Sequence, residues 1–186
     1  MKLGLTGTNA SGKTSIVNYL TSRRFRYYSL SDVIRDELSK RGLEHSRDNL
    51  RRVGNELRSK FGPSALADKI IDDLCDGNAV IDSIRNVSEV ESLRHLPEFR
   101  LISIDAPIEI RYIRAKGRGR VENADSIEDF QAAEDKEKSR NRIAQNIDQC
   151  MALADYTIFN DGDLTTLQAK IDKIIKEIEK NETKLG

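Results

Sequence analysis

One eight-residue segment near the amino terminus constrains the chain more than any other. It reads Gly7-Thr8-Asn9-Ala10-Ser11-Gly12-Lys13-Thr14 and matches the pattern G-x-x-x-x-G-K-[ST]. It follows a short apolar run at residues 2–6 and precedes a helical pattern that begins at Lys13. A glycine-rich turn between a buried strand and a helix N-terminus directs backbone N–H groups at phosphate oxygens. The segment therefore predicts a polyphosphate site with a strand before it and a helix after it.

Short apolar runs alternate with helical patterns along the chain. Strands are indicated at residues 2–6, 79–82, 100–104 and 156–159, with a weaker candidate at 26–29. Helices are indicated at residues 13–21, 31–41, 47–60, 64–75, 88–96, 107–116, 126–151 and 164–180. Strands that alternate with helices need crossover connections, which place the strands parallel and cover both faces of the sheet. We therefore predict a three-layer α/β/α fold, and the length of 186 residues fits a single domain over 1–186.

Charge and hydropathy restrict the classes of partner. Lysine plus arginine number 31 and aspartate plus glutamate also number 31, so the formal net charge is zero. Without a global positive field, the composition argues against a nucleic-acid partner, and any anion site must be local. No uninterrupted apolar stretch has the length needed to cross a bilayer, and Met1 is not followed by a signal-peptide pattern. We expect a soluble cytoplasmic protein without a membrane partner.

Residue types in the phosphate-binding segment have defined roles. We expect the Lys13 ammonium to bridge the β- and γ-phosphates of ATP, and the Thr14 hydroxyl to bind Mg²⁺. The strand at 79–82 ends in Asp82, whose carboxylate is placed either to reach the same Mg²⁺ or to serve as an ordinary strand-end cap. The absence of an N-K-x-D motif argues against a guanine-specific switch protein. The predicted ATP-binding residues of this segment are Gly7, Thr8, Asn9, Ala10, Ser11, Gly12, Lys13, Thr14 and Ser15.

Three further segments carry a family resemblance. Residues 30–35, read as L-S-D-V-I-R, resemble the G-D-x-x-R segment of nucleoside monophosphate kinases. Residues 81–85, read as I-D-S-I-R, resemble their D-G-x-P-R segment, although the proline is missing and the arginine comes one residue early. Residues 154–162 resemble the A-D-x-x-I-x-N-x-G of dephospho-CoA kinases and their adenylate-kinase-related relatives. Together with the phosphate-binding loop, or P-loop, these segments make the chain resemble the small P-loop kinases from residue 1 to about residue 167.

The resemblance implies a five-stranded parallel core with a helical acceptor flap and a lid. Residues 30–76 hold three predicted helices before the next strand and are the candidate flap. The resemblance assigns Asp32, Arg35 and Arg85 to acceptor binding and places Asn160 and Gly162 near the ATP base. On the middle helix of the flap, one polar face is predicted either to read the acceptor, chiefly through Arg58, or to be solvated surface. That face consists of Arg47, Arg51, Asn55 and Arg58.

A basic stretch at residues 111–120 is the candidate lid, which extends over 114–127. It carries five cations in ten residues, and Gly117 and Gly119 permit hinge-like changes of the backbone. Its arginines Arg114, Arg118 and Arg120 are placed to close over the transferring phosphoryl group. The alternative is a basic surface or an RNA-binding strip, since short Arg-Gly runs also bind the backbone of nucleic acids.

The acceptor determines what catalysis requires. A nucleoside monophosphate attacks through an ionised oxygen and needs no base, whereas a hydroxyl acceptor needs a carboxylate, for which Asp32 is the candidate. The alternative role of Asp32 is to cap the helix at 31–41. The leading hypothesis is a kinase of (deoxy)nucleoside monophosphates. A dephospho-CoA-type kinase and a regulatory or RNA-associated ATPase stay open, and the sequence does not indicate an oligomeric state.

Overall fold

The five predicted strands form a single parallel sheet. A computed structural model describes residues 1–117, 126–137 and 146–183. The strands are β1 (Lys2–Gly7), β2 (Arg26–Ser29), β3 (Ala79–Asp82), β4 (Phe99–Asp105) and β5 (Tyr156–Phe159). They pair in the order β2-β3-β1-β4-β5, and every pairing is parallel. The predicted α/β class and the weaker strand candidate at 26–29 are confirmed.

Helices lie in every connection between consecutive strands. They are α1 (Lys13–Ser22), α2 (Leu30–Lys40), α3 (Arg47–Phe61), α4 (Ala65–Asp73), α5 (Val87–Leu93), α6 (Ile108–Lys116), α7 (Ile127–Glu137), α8 (Ile147–Ala152) and α9 (Leu164–Thr183). The connection from β2 to β3 contains α2, α3 and α4, as the sequence predicts for residues 30–76. Among the helices of the described ranges, none combines the length and apolarity needed to cross a bilayer.

Alternate residues of the strands pack against opposite helical layers. On one face of the sheet, Leu3, Leu5 and Val80 pack with buried residues of α1 and α9. On the other face, Ile81 and Leu101 pack with buried residues of α2, α3, α4, α5 and α8. Because successive strand residues point to opposite faces, two-sided burial gives the strands near-continuous apolar sequences. The three layers follow directly from this pattern.

The carboxyl ends of the central strands meet at one edge of the sheet. Gly7 ends β1 opposite Ile104 of β4, while Asp82 ends β3 opposite Ser29 of β2. Asp105 ends β4 and pairs in register with β5. In open parallel sheets, ligands bind outside the carboxyl ends of the strands, where the connecting loops diverge. The fold therefore brings Gly7, Asp82 and Asp105 to the same edge as the P-loop.

The prediction of one continuous helix over residues 126–151 is wrong. The structure has α7 and α8 in this region, and α8 begins anew after Asn146. Asn146 has φ −138° and ψ 78°, and its side chain accepts a hydrogen bond from the Gln149 backbone N–H at 3.2 Å. A capping asparagine offers the backbone an alternative to continued helix, so the apolar periodicity of the segment does not reveal the interruption.

Gly4 tests the close packing at the centre of the sheet. A Cβ atom there would lie 2.5 Å from Cζ of Phe99 and 2.8 Å from Cδ1 of Ile84. Gly4→Ala should therefore lower the free energy of unfolding by about 1–3 kcal/mol, measured by urea denaturation. The control is Gly117→Ala at the end of α6, where the closest atom to the added Cβ lies 3.5 Å away. Equal stability of Gly4→Ala and the wild type would contradict this packing.

Candidate active site

The turn between β1 and α1 depends on glycine at both ends. Gly7 has φ 139° and Gly12 has φ 113°, values that residues with a side chain rarely adopt. A Cβ atom on Gly7 would lie 1.9 Å from the Ile104 carbonyl oxygen, and one on Gly12 would lie 2.3 Å from Nδ2 of Asn160. Ala10 also has a positive φ, 57°, within the same turn. The backbone is thus held in a tight curve against β4 and Asn160.

The N-terminus of α1 is open to an anion. Gly12 is its N-cap residue, no side chain of the described residues caps it, and its first turn carries no acidic residue. The N–H groups of the first helical turn have no acceptors within the helix, and the helix dipole adds partial positive charge there. Together with the curved backbone before it, this helix end forms a site that fits a phosphate group.

Lys13 folds back over the turn. Its ammonium nitrogen donates hydrogen bonds to the carbonyl oxygens of Gly7 at 2.7 Å and Thr8 at 2.6 Å. Burial lowers the pKa of Lys13 to about 8. The carboxylates of Asp82 and Glu134 act against this lowering of the pKa. The guanidinium groups of Arg85 and Arg111 contribute to it, so charged groups from β3, the β3–α5 loop, α6 and α7 all act on Lys13.

Asp82 fits the predicted role of a magnesium ligand. Its Oδ1 atom is buried and has no hydrogen-bond partner among the described residues. A buried carboxylate oxygen normally finds a partner, so an unsatisfied one at this edge of the sheet suits a hard cation that prefers oxygen ligands. The Thr14 side chain is exposed on the first turn of α1. The two residues and Lys13 are therefore the candidates to hold a Mg²⁺–polyphosphate complex.

Asp105 is a site residue that sequence reasoning missed. Its Oδ1 atom accepts a hydrogen bond from the Thr8 hydroxyl at 2.7 Å and another from the Ala106 backbone N–H at 2.9 Å. It ends β4 in the way that Asp82 ends β3. The same argument from a carboxylate at a strand end identifies it, once the strand at 100–104 is extended by one residue.

Arg111 and Glu134 were also missed as site residues. Arg111 donates from Nε to the Ala106 carbonyl oxygen at 3.0 Å and from an Nη atom to Glu134 Oε1 at 2.5 Å. Its guanidinium carbon lies 5.7 Å from the centre of the Phe130 ring. Arg111 belongs to the basic stretch that the sequence singles out, whereas Glu134 lies in a helix whose sequence carries no such signal. Together they connect α6 and α7 beside the P-loop.

Asn160 lies next to the P-loop, and Gly162 lies next to Arg114 of the candidate lid. That both residues lie near the ATP base stays a prediction. Asn160 is 2% exposed and donates from Nδ2 to the Ser11 carbonyl oxygen at 2.7 Å. Its backbone N–H donates to the Asp105 carbonyl oxygen at 2.7 Å. The Gly162 carbonyl oxygen accepts from Arg114 at 3.4 Å. Arg118 and Arg120, the other predicted lid arginines, lie outside the described residues.

Asp32 and Arg35 of α2, both predicted to bind the acceptor, form an ion pair. The distance from Arg35 to Asp32 Oδ1 is 2.6 Å, and the side chains are 43% and 50% exposed. The N-cap of α2 is Ser29, so the alternative that Asp32 caps this helix is wrong. The helix begins one residue earlier than predicted because β2 runs directly into it, and this places Asp32 inside the first turn.

Arg58 departs from the predicted polar face of α3. Its side chain is 2% exposed and contacts Glu89 at 2.7 Å, whereas Arg47 and Arg51 are exposed. Helical spacing groups Arg58 with these arginines. The spacing does not reveal that the buried carboxylate of Glu89 in α5 lies next to Arg58. The prediction that Arg58 presents its guanidinium on a face accessible to the acceptor is therefore corrected.

The pKa of Lys13 predicts how ATP binding depends on pH. Polyphosphate favours the charged ammonium, so above about pH 8 binding requires proton uptake and affinity should fall by up to about tenfold per pH unit. The stability of the free protein should change in the opposite direction. Between about pH 8 and 10.5 the unfolded chain binds more protons at this lysine, so its contribution to stability rises with pH.

Calorimetric titration with ATP and thermal unfolding across this pH range test both trends. Lys13→Met is the matched variant, and the pH dependence assigned to Lys13 is the difference between the two proteins. Identical pH profiles of ATP affinity in the wild type and in the variant would contradict the assignment.

The chain is similar in sequence to one protein family and to several archaeal proteins. Residues 3–138 match the AAA_18 family, which is described as an AAA domain. A UPF0200 protein of Thermococcus kodakarensis is 34% identical over 182 residues, which cover 94% of this chain and 96% of the relative. A UPF0200/UPF0201 protein of Archaeoglobus fulgidus is 32% identical over 186 residues, and the match covers 96% of this chain but only 56% of that relative.

Solved structures with the same fold include small kinases. TT1252 from Thermus thermophilus superposes with a TM-score of 0.62 at 18% identity, covering 95% of this chain and 97% of that one. A shikimate kinase from Bacteroides thetaiotaomicron superposes with a TM-score of 0.61 at 10% identity, covering 95% of this chain and 98% of that one. At these identities the likeness establishes the fold alone, which is that of the small P-loop kinases.

Proposed function

This chain belongs to the UPF0200 family and has a P-loop kinase fold, and from that premise we propose that it transfers the γ-phosphoryl group of ATP to a nucleoside monophosphate. The reaction would use ATP as its Mg²⁺ complex, and the acceptor would be a ribo- or deoxynucleotide. Such a phosphotransferase would have two adjoining anion sites, one for the triphosphate and one for the acceptor's phosphate.

The observation that carries this proposal is the convergence of cations on the P-loop. Lys13, Arg85 and Arg111 come from three different elements, and both guanidinium groups act on the pKa of Lys13. Phosphoryl transfer leaves little covalent work for side chains, so catalysis depends on positioning and on neutralising negative charge. Two guanidinium groups around one ammonium group suit a triphosphate whose terminal group faces a second phosphate.

Tyr27 supports a neighbouring acceptor site. Burial raises the pKa of its phenol, and the carboxylates of Asp82 and Asp32 raise it further, so this side chain lies within electrostatic reach of both. Arg35 also acts on the same phenol. Asp82 ends β3 opposite Ser29 of β2, and α2, which carries Asp32 and Arg35, begins directly after β2. An acceptor bound at this end of β2 would therefore lie beside the triphosphate.

Each residue then has a defined role. Lys13 would contact the β- and γ-phosphates, and Thr14 with Asp82 would hold Mg²⁺, which neutralises charge on the triphosphate. Arg35 and Arg85 would bind the acceptor's phosphate, because a guanidinium group presents paired donors to phosphate oxygens. The lid arginine Arg114 would add positive charge on closure, together with Arg118 and Arg120. A monophosphate attacks through an oxygen that is already ionised, so this scheme needs no general base.

A hydroxyl acceptor, as in a dephospho-CoA-type kinase, is the second candidate. It is favoured by the position of Asp32, which does not cap its helix and is half exposed. In that case the Asp32 carboxylate would accept the hydroxyl proton as the oxygen attacks the γ-phosphorus, and ADP would leave as the bond from that phosphorus to the β,γ-bridging oxygen breaks. Arg35 would keep the carboxylate oriented.

A panel of acceptors separates these functions. ADP release from ATP and Mg²⁺ should be stimulated by one nucleoside or deoxynucleoside monophosphate, and Lys13→Ala should lower that rate by at least about 10²-fold. Stimulation by dephospho-CoA alone would favour the second candidate. ATP hydrolysis that no small molecule stimulates, or unchanged turnover of Lys13→Ala, would contradict the proposed reaction.

Arg35→Ala tests the acceptor side by itself. Loss of a charged hydrogen bond costs about 1.5–3 kcal/mol, so the KM for the acceptor should rise by roughly 10-fold or more while the KM for ATP stays within about twofold. Arg52→Ala is the matched control, since Arg52 is an exposed arginine paired with Glu56 on α3 at 2.9 Å. An effect of Arg35→Ala confined to ATP affinity would show that this arginine does not bind the acceptor.

A further inference from the structure

The carboxylate of Glu89 is completely buried and accepts four hydrogen bonds. Its Oε1 atom accepts from Arg58 Nε at 2.9 Å and from Arg58 Nη2 at 2.7 Å. Its Oε2 atom accepts from the backbone N–H groups of Arg85 at 2.9 Å and Asn86 at 3.0 Å. All acceptor positions of the carboxylate are thereby used, and its orientation is fixed.

The ion pair connects segments that lie far apart in the sequence. Arg58 belongs to α3 of the candidate flap, and Glu89 is in the first turn of α5. Burial, with a smaller contribution from the Glu89 carboxylate, raises the pKa of Cys150 on α8 to about 12. Cys150 packs in the same apolar cluster as buried residues of α3 and α5. The hydrogen bonds of the buried charge pair therefore join the flap to the loop that follows β3, beside α8.

The backbone around Arg85 is held from three directions. The Thr6 hydroxyl donates to the Ile84 carbonyl oxygen at 3.0 Å, and the Asn146 N–H donates to the Arg85 carbonyl oxygen at 2.7 Å. Glu89 binds the Arg85 N–H, so both polar backbone groups of Arg85 are engaged. The α-carbon of Arg85 is thus fixed relative to β1, while its guanidinium group acts on Lys13.

Stability alone does not account for this arrangement. A buried ion pair contributes little net stability compared with apolar residues of the same size, because both charges lose their hydration. The Arg58 Nη1 atom is also buried and has no hydrogen-bond partner among the described residues, which adds a further cost. What the pair does provide is a fixed direction for two backbone N–H groups.

We propose that Arg58 and Glu89 are positioning residues for acceptor binding: they hold the Arg85 backbone so that its guanidinium group meets the acceptor's phosphate beside Lys13. This inference rests on the proposed function. Arg58 acts through Glu89 and does not touch the acceptor. The pair also links the flap helix α3 to the acceptor's anion site, so that the flap and Arg85 keep one relative geometry.

Two conservative variants and one control test the inference. Arg58→Lys keeps the positive charge but loses the paired donors, and Glu89→Gln keeps the shape but loses the negative charge. Val53→Ala is the control, because Val53 is a fully buried residue of α3 outside the pair and its truncation also destabilises the core. For each protein, the KM values for acceptor and ATP and the thermal midpoint are measured, together with hydrogen exchange at the Arg85 and Asn86 amides.

In both pair variants the acceptor KM should rise by about 10- to 100-fold, the cost expected when a binding group is displaced by about 1 Å. The KM for ATP should stay within about twofold of the wild-type value. The Arg85 and Asn86 amides should exchange faster than in Val53→Ala when the rates are compared at the same interval below each protein's thermal midpoint. The inference would be overturned if the acceptor KM of the pair variants were no higher than that of Val53→Ala. It would also be overturned if their Arg85 and Asn86 amides exchanged no faster than those of Val53→Ala. A wild type without acceptor-stimulated ADP release would instead refute the proposed function, and the amide exchange would still decide whether the pair holds Arg85.

Discussion

The rest of the site depends on one constraint, the close approach of the P-loop backbone to β4 and to Asn160. Gly7 and Gly12 lie so near the Ile104 carbonyl and the Asn160 amide that no Cβ atom fits at either position. This packing keeps the turn curved and keeps the N-terminus of α1 directed at the same point. Asn160, the residue that follows β5, donates a hydrogen bond to the Ser11 carbonyl oxygen and so secures the P-loop. The cations and carboxylates around Lys13 have a defined target only because this backbone is fixed.

The order of the parallel strands brings charged side chains next to the P-loop. The sheet places β3 and β4 on either side of β1, so Asp82 and Asp105 end next to the P-loop. Oδ1 of Asp105 accepts hydrogen bonds from Thr8 and Ala106, whereas Oδ1 of Asp82 has no hydrogen-bond partner among the described residues. The two carboxylates therefore differ in role: Asp105 braces the loop, and Asp82 is the one suited to a cation.

Sequence reasoning succeeded where the signal was local. The parallel α/β fold, the P-loop between β1 and α1, and the three helices of residues 30–76 were all predicted, because periodicity and turn residues report on neighbouring positions. It failed where the decisive partner lies far along the chain. Arg58 was assigned to an accessible face because no residue near it in the sequence indicates that Glu89 will be its partner. The break at Asn146 was missed because a capping hydrogen bond leaves the apolar pattern of the sequence unchanged.

The sequence by itself determined that the chain builds a parallel sheet with a P-loop turn after its first strand, since glycine conformations and short apolar runs are properties of short segments. Only the tertiary structure decided which charges meet that turn. Arg111 and Glu134 act on the pKa of Lys13 from α6 and α7, while Arg58 is held in the core by Glu89. The physical reason is that the electrostatic environment of a side chain depends on distances in space, and the packing of separate elements sets those distances.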